Sequence, residues 1–267
     1  MSGVTVVKLG GSLLEDPVRR GAALDAIATR ALRRRSRGAK GDPLVVVHGG
    51  GKQVDGWLSR LGLPRRFQQG VRITDEQTLD IVLAVLSGLV NKTLVAELAA
   101  RGLRAFGLSG VDAGLLTAAA METDGGVDFG HVGQPTGCNA EALRTLIEAG
   151  YIPVIASLAQ SAGGQILNVN ADAAASAIAS ALAARRLVFL TDVEGLLDQR
   201  GRRVARLDAA RARLLLQTPV VTGGMRPKLN ACLNALDSGV DHVLIAGPRQ
   251  HERALLRGEG GTRLVAA

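Results

Sequence analysis

Short apolar runs alternate with stretches of helical period along almost the whole chain. Residues 4–9 and 44–48 are apolar without alternation, which predicts strands buried on both faces. Residues 104–109, 152–157, 187–191 and 242–246 read as further strands. Between them, residues 17–35, 53–61, 75–101, 140–149, 172–184 and 224–238 carry helical patterns. Pro17 suits a first helical turn, and Asp75 reads as an N-cap or first-turn residue. The rhythm breaks over residues 114–133, where Asp124, Gly125 and Gly126 predict a β-hairpin turn. Residues 165–169, after Gly163 and Gly164, read as another hairpin arm. The order βαβα predicts an α/β fold, a three-layer αβα sandwich around a mainly parallel sheet. No Pro- or Ser-rich linker, repeat or low-complexity tract divides the chain. We expect two lobes on one continuous sheet, residues 1–175 and 176–267, with a soft boundary at residues 173–184.

Composition narrows the function classes. Of 267 residues, 47% are hydrophobic and 2% aromatic, so a sizeable core is aliphatic. Base-stacking nucleic-acid platforms need exposed rings, which argues against that class. A formal net charge of +8 favours anionic partners without choosing between nucleotide, nucleic acid and acidic protein. Arg33, Arg34, Arg35, Arg37 and Lys40 form the densest basic run. It reads as a solvated helix end, where cations complement the dipole. Cys138 and Cys232 are too few for a disulfide framework and lack metal-ligand spacing, so both read as reduced packing residues. No signal-peptide pattern opens the chain. No apolar stretch reaches about 18 residues unbroken by Gly or charge. The expectation is a cytoplasmic protein without membrane or nucleic-acid partners.

Candidate chemistry gathers at strand ends. Gly49, Gly50 and Gly51 follow the apolar run 44–48 and open into a helical pattern. Gly10 and Gly11 follow Lys8 in the same way. Glycines there let backbone N–H groups approach an anion at a helix start. Standard nucleotide signatures fail: Lys52 leads to Gln53 where a P-loop needs Ser or Thr, and no dinucleotide GxGxxG follows a strand. His251 and Glu252 do not continue into HExxH. Arg72 stands just before a helix, placed for a carboxylate. Asn168, Asn170 and Asp172 mark a strand-to-helix turn. Residues 192–197 lie at a strand's carboxyl end, where open α/β sheets take ligands. Lys228 enters the start of a helix.

The stretches VVKLGGS, VVVHGGGKQVD, GVRITDEQT, GLVNKTL, AFGLSGVDAGLL, GHVG, AGYIPVIA, NVNADAAASAIASAL, LTDVEGLL and GGMRPK cover nearly the whole chain. In this order they resemble the amino acid kinase family and, within it, the N-acetylglutamate kinases. The resemblance implies that ATP phosphorylates the side-chain carboxylate of N-acetyl-L-glutamate, giving an acyl phosphate in arginine biosynthesis. It implies Lys8 and Lys228 on opposite sides of the moving phosphoryl group, with Asp172 orienting both. Gly10 and Gly11 would cradle the phosphoryl oxygens. Gly50, Gly51, Arg72 and Asn168 would hold the acyl amino acid. Asp192, Val193, Glu194, Gly195, Leu196 and Leu197, with Val220, Val221 and Thr222, would form the ATP pocket. Mg2+ would bridge the phosphates with little protein ligation.

Some positions carry second readings. Asp172 also reads as an N-cap, and Arg72 as one half of a helix-start salt bridge. Asn170 and Asp112 stay open between structure and function. His48 reads as a packing residue, since the reaction moves no proton. Asn91 and Lys92 read as structural or interfacial. Arg226 departs from the family, which usually carries an aliphatic residue there, and adds charge beside the nucleotide. Arginine-inhibited relatives have an extra N-terminal helix; few residues precede the first strand here. The expectation is therefore an arginine-insensitive homodimer, any regulatory partner being unidentified. Two rival readings are a kinase for 2-aminoadipate or glutamate on a carrier protein, and a non-catalytic sensor.

Overall fold

The computed structural model describes residues 3–35, 43–123, 125–198, 200–218, 221 and 223–266. It begins with β1 (Thr5–Leu9), α1 (Gly11–Glu15), α2 (Pro17–Arg35), β2 (Leu44–His48), α3 (Gly51–Arg60), β3 (Phe67–Gln68) and β4 (Val71–Arg72). A long helix follows, made of α4 (Glu76–Leu83), a π-helical segment (Ala84–Val90) and α5 (Asn91–Ala99). Next come β5 (Ala105–Ser109), β6 (Leu116–Ala120), β7 (Val132–Cys138), α6 (Glu141–Glu148), β8 (Ile152–Ala156), β9 (Leu158–Gln160) and β10 (Ile166–Val169). The remainder is α7 (Ala171–Ala181), β11 (Arg186–Leu190), β12 (Arg206–Asp208), α8 (Ala209–Leu216), α9 (Met225–Asp237), β13 (His242–Ala246), α10 (His251–Arg257) and β14 (Thr262–Val265).

Eight strands form one sheet in the order β12-β14-β13-β11-β1-β2-β8-β5. All pair in parallel except β13 with β14. Its central strands are buried throughout and mostly apolar because both faces are covered. Val6 and Val47 face the core packed by α7 and α9, while Val7 and Val46 face the core packed by α2, α3 and α5. The α/β sandwich with a central mainly parallel sheet is thus present. Strands from residues 5–156 fill one half of the sheet, and those from residues 186–265 fill the other.

The hairpins also form. β6 and β7 are antiparallel, as are β9 and β10, and the four close on one another. The arm β7 runs to Cys138, beyond the expected limit of residue 133; Asp124 lies outside the described residues. β12 and β14 were not expected, since three- and four-residue strands carry too little pattern. The helix over Glu76–Ala99 is long and apolar enough to cross a membrane by length and composition alone. Its Val82, Leu86, Leu94 and Leu98 are buried in the core. In the basic run, Arg33 approaches Glu252 of α10 at 3.7 Å. The Arg34 and Arg35 side chains, and Arg37 and Lys40, lie outside the described set.

Candidate active site

The carboxyl end of β1 and the first turns of α7 and α9 meet in a buried ion network. Lys8 is the fourth residue of β1. Asp172 lies in the first turn of α7, and Lys228 in the first turns of α9. Asn170 caps α7: its Oδ1 accepts from the N–H groups of Asp172 at 2.8 Å and Ala173 at 3.2 Å. The N-cap reading of Asp172 is therefore corrected to Asn170. That leaves the Asp172 carboxylate for the lysines. Lys8 Nζ stands 2.7 Å from Oδ1, and Lys228 Nζ lies 3.1 and 3.0 Å from Oδ1 and Oδ2. Lys228 also sits 5.0 Å over the Phe189 ring.

Burial and charge compete here. Desolvation pushes the Asp172 carboxyl upward, but the charges and hydrogen bonds of Lys8 and Lys228 together hold it at about 2. The dipole of α7 acts in the same direction. Desolvation also lowers the Lys8 pKa. Asp172 opposes that shift, and the second ammonium of Lys228 reinforces it. Two cations on one carboxylate leave the site short of negative charge, which suits an anionic ligand.

The glycine loops face each other beside this network. A Cβ on Gly11 would lie 3.7 Å from the N of Gly51, so the starts of α1 and α3 are adjacent. Helix starts leave N–H groups without intrahelical acceptors, suited to anions. Gly10 departs from the expected cradle: its N–H donates to Leu190 O at 3.0 Å, tying the loop to β11. Gly11, Gly50 and Gly51 line the cavity, and Gly10 does not. His48 is fully buried, with Nδ1–H donating to Gly49 O and Nε2 accepting from Asn91. Desolvation lowers its pKa to about 4, so it is a neutral strut rather than a base.

A cavity of about 440 Å³ opens onto Lys8, Asp172, Arg72 and Asn168. Arg72 Nη2 donates to Asp55 Oδ1 at 2.8 Å and to Gly51 O at 3.2 Å. Its guanidinium also lies 4.6 Å over the Phe67 ring. Its Nη1 is buried without a hydrogen-bond partner among the described residues. Salt bridge and cavity lining thus coexist, and the open donor fits a carboxylate. Asn168 Nδ2 donates to Thr74 Oγ1 at 3.2 Å. Asp112 lies apart from the cavity lining and accepts from the N–H and hydroxyl of Ser109. Sequence reasoning missed Asp55, Asn230 and Asn234. The signal was available: Pro227, Asn230, Ala231 and Asn234 recur at helical spacing and line the same wall.

The expected nucleotide segment lies elsewhere. Residues 192–197 leave the carboxyl end of β11 without lining the cavity. Asp192 accepts from the Thr191 hydroxyl at 3.0 Å and contributes to the electrostatics of Lys8. The N–H of Leu196 donates to Thr262 Oγ1 at 2.8 Å. Gly247 packs against the Glu194 backbone, where a Cβ would fall 2.7 Å from Cα. Val193 and Leu197 are exposed, and Val221 is buried. Val220 and Thr222 lie outside the described residues. Arg226 is exposed on the first turn of α9. Among the described residues no group of three or more His, Cys, Asp or Glu could hold a metal, so the donor set does not fit a protein-built metal centre.

A family model described as "Amino acid kinase family" matches residues 3–247. An acetylglutamate kinase of Solibacter usitatus (strain Ellin6076) is 44% identical over 265 residues, spanning 98% of this chain and 99% of its own. An acetylglutamate kinase of Methanopyrus kandleri is 46% identical over 225 residues, 82% of this chain and 90% of its own. Among solved structures, N-acetylglutamate synthase from Neisseria gonorrhoeae with coenzyme A and N-acetyl-glutamate is 26% identical. It superposes with a TM-score of 0.81 over 98% of this chain and 59% of that one. Carbamate kinase from Giardia lamblia bound to AMP-PNP, at 16% identity and a TM-score of 0.67, shares the fold. The chain belongs to the amino acid kinase family.

Proposed function

We propose that the molecule transfers the γ-phosphoryl group of ATP to the side-chain carboxylate of N-acetyl-L-glutamate, the reaction of an acetylglutamate kinase in arginine biosynthesis. Identity of 44% and 46% to acetylglutamate kinases, over 98% and 82% of this chain, supports it. The carrying observation is the pair of buried ammonium groups on one carboxylate, beside two facing glycine loops. A carboxylate and a triphosphate repel, so their encounter needs fixed positive charge and alignment.

Arg72, with its open Nη1, takes the α-carboxylate, and Asn168 orients the acylated amine. The side-chain carboxylate then lies near Gly50 and Gly51. Its oxygen attacks the γ-phosphorus; the new O–P bond forms as the bond to the β-phosphate oxygen breaks, and ADP departs. No proton moves, which agrees with a neutral, bonded His48. Each lysine ammonium carries three donors, so Lys8 and Lys228 can keep Asp172 while donating to phosphoryl oxygens. Residues 192–197, with Val220, Val221 and Thr222, take the nucleotide. Magnesium arrives as the counter-ion of the ATP phosphates. Residues 1–175 form the acyl-amino-acid and dimerisation lobe, residues 176–267 the ATP lobe, of a cytoplasmic homodimer.

Coupled ADP release with Mg-ATP and N-acetyl-L-glutamate tests the proposal. Saturable turnover is expected. Nucleotide binding without turnover would overturn it and favour a carrier-bound substrate or a sensor.

A further inference from the structure

The long helix between β4 and β5 is not α-helical throughout. Over Ala84–Val90 it is a π-helix, and the N–H of Asn91 is shared between Gly88 O and, five residues back, Leu86 O. In an α-helix, a residue five positions on points about 140° away around the axis. Closing an i→i+5 bond returns it close to the same face. Leu86 and Asn91 therefore stand one above the other, and both meet the strand end that carries the glycines. Asn91 Nδ2 contacts His48 Nε2 at 3.0 Å, Val154 O at 2.9 Å and Leu108 O at 3.2 Å, pinning β2 beside β8 and β5. Leu86 lines the cavity, and its Cδ2 lies 2.6 Å from where a Cβ on Gly50 would sit. Val90 Cγ2 is 3.2 Å from the same point. A side chain at position 50 would therefore press on the end of Leu86, which would have to shift.

The segment is costly to keep. Ser87 Oγ is buried without a hydrogen-bond partner among the described residues, and Gly88 sits in mid-helix. Such irregular turns concentrate where function requires them.

We propose that the π-helical segment is the positioning element of the Gly49–Gly51 loop. By turning Leu86 and Asn91 to one face, it holds Gly50 against a strand end that Asn91 has already fixed. The loop N–H groups then point at the path of the phosphoryl group. Leu86 is a positioning residue that acts through Gly50. The inference rests on the kinase reading above.

A double-mutant cycle tests it, using ADP release with Mg-ATP and N-acetyl-L-glutamate. Gly50→Ala should lower kcat by about a hundredfold, as expected for misplaced donors. Leu86→Ala should lower kcat by roughly tenfold, with both KM values nearly unchanged and Leu86→Met close to the parent. The double variant should be about tenfold more active than Gly50→Ala alone, because the shortened side chain makes room. Additive losses, or an unchanged kcat in Leu86→Ala, would overturn the inference. If the parent itself does not turn over, the kinase reading fails. Thermal melting of the same proteins then decides the contact: non-additive destabilisation supports it and additive destabilisation refutes it.

Discussion

The two ends of the central sheet bury cations in different ways. At the carboxyl end, Lys8 and Lys228 converge on Asp172 beside an open cavity. At the amino end, Thr5, Arg186 and His242 are neighbours across β1, β11 and β13. There Arg186 Nε donates to His242 Nε2 at 3.0 Å, and Nη1 to Ala254 O and Leu255 O. Arg30 donates to Leu255 O at 2.8 Å and Thr5 Oγ1 at 3.1 Å. These carbonyls belong to the last turn of α10, where a helix dipole welcomes cations. The amino end fastens helix to sheet. The carboxyl end keeps Lys8 and Asp172 on the wall of an open cavity, with Lys228 held on the same carboxylate. Buried charge alone therefore does not mark a site; buried charge facing a cavity does.

Substitutions can break this contrast. Lys228→Ala or Lys8→Ala should reduce kcat by a hundredfold or more, about 3 kcal/mol of transition-state stabilisation, in steady-state ADP release. Asp172→Ala should abolish turnover and also destabilise by roughly 3–5 kcal/mol, since two buried ammonium groups lose their partner. Chemical denaturation reads the second effect. Arg186→Ala should do the reverse: about 2 kcal/mol of stability lost, a melting temperature lower by roughly 4–8 °C, and kcat near the parent.

Acidity sharpens the same comparison. His48 and His242 both hold pKa values near 4 against an ordinary 6.5, chiefly through desolvation. Between those values the unfolded chain takes up protons that the folded chain refuses. Stability should therefore fall as pH drops from about 6.5 towards 4, by roughly 3 kcal/mol for a fully buried histidine. Melting curves across that range should show the loss, and His242→Gln should reduce it. The Asp172 carboxylate, with its pKa near 2, stays charged throughout, so it imposes no loss of kcat of its own over that range. On the alkaline side, kcat should fall below pH 10.5, because the lowered pKa of Lys8 discharges it early. The smallest effect belongs to the exposed pair Arg213 and Asp237: Arg213→Ala should change stability by under about 1 kcal/mol.

Much of this was legible in the sequence. Apolar runs predicted six strands, five of which are buried on both faces, while β5 at the sheet edge leaves Phe106 exposed. The glycine turns and Lys8, Asp172 and Lys228 stood out through ordered motifs. Other features depend on three-dimensional detail. Only the structure shows that Asn170, not Asp172, caps α7, or that Leu190 takes the Gly10 N–H. The π-helical segment, seven residues long, is too short to leave a period of its own. The amino-end cluster joins Arg30, Arg186 and His242 from distant parts of the chain, and no spacing announces it.

The most direct measurement compares kcat and melting temperature for Lys228→Ala and Arg186→Ala against the parent, with Mg-ATP and N-acetyl-L-glutamate. We predict a loss of a hundredfold or more in kcat for Lys228→Ala. Arg186→Ala should instead keep its rate and melt several degrees lower. A Lys228→Ala enzyme within about threefold of the parent would contradict the assignment of catalysis to the lysine pair.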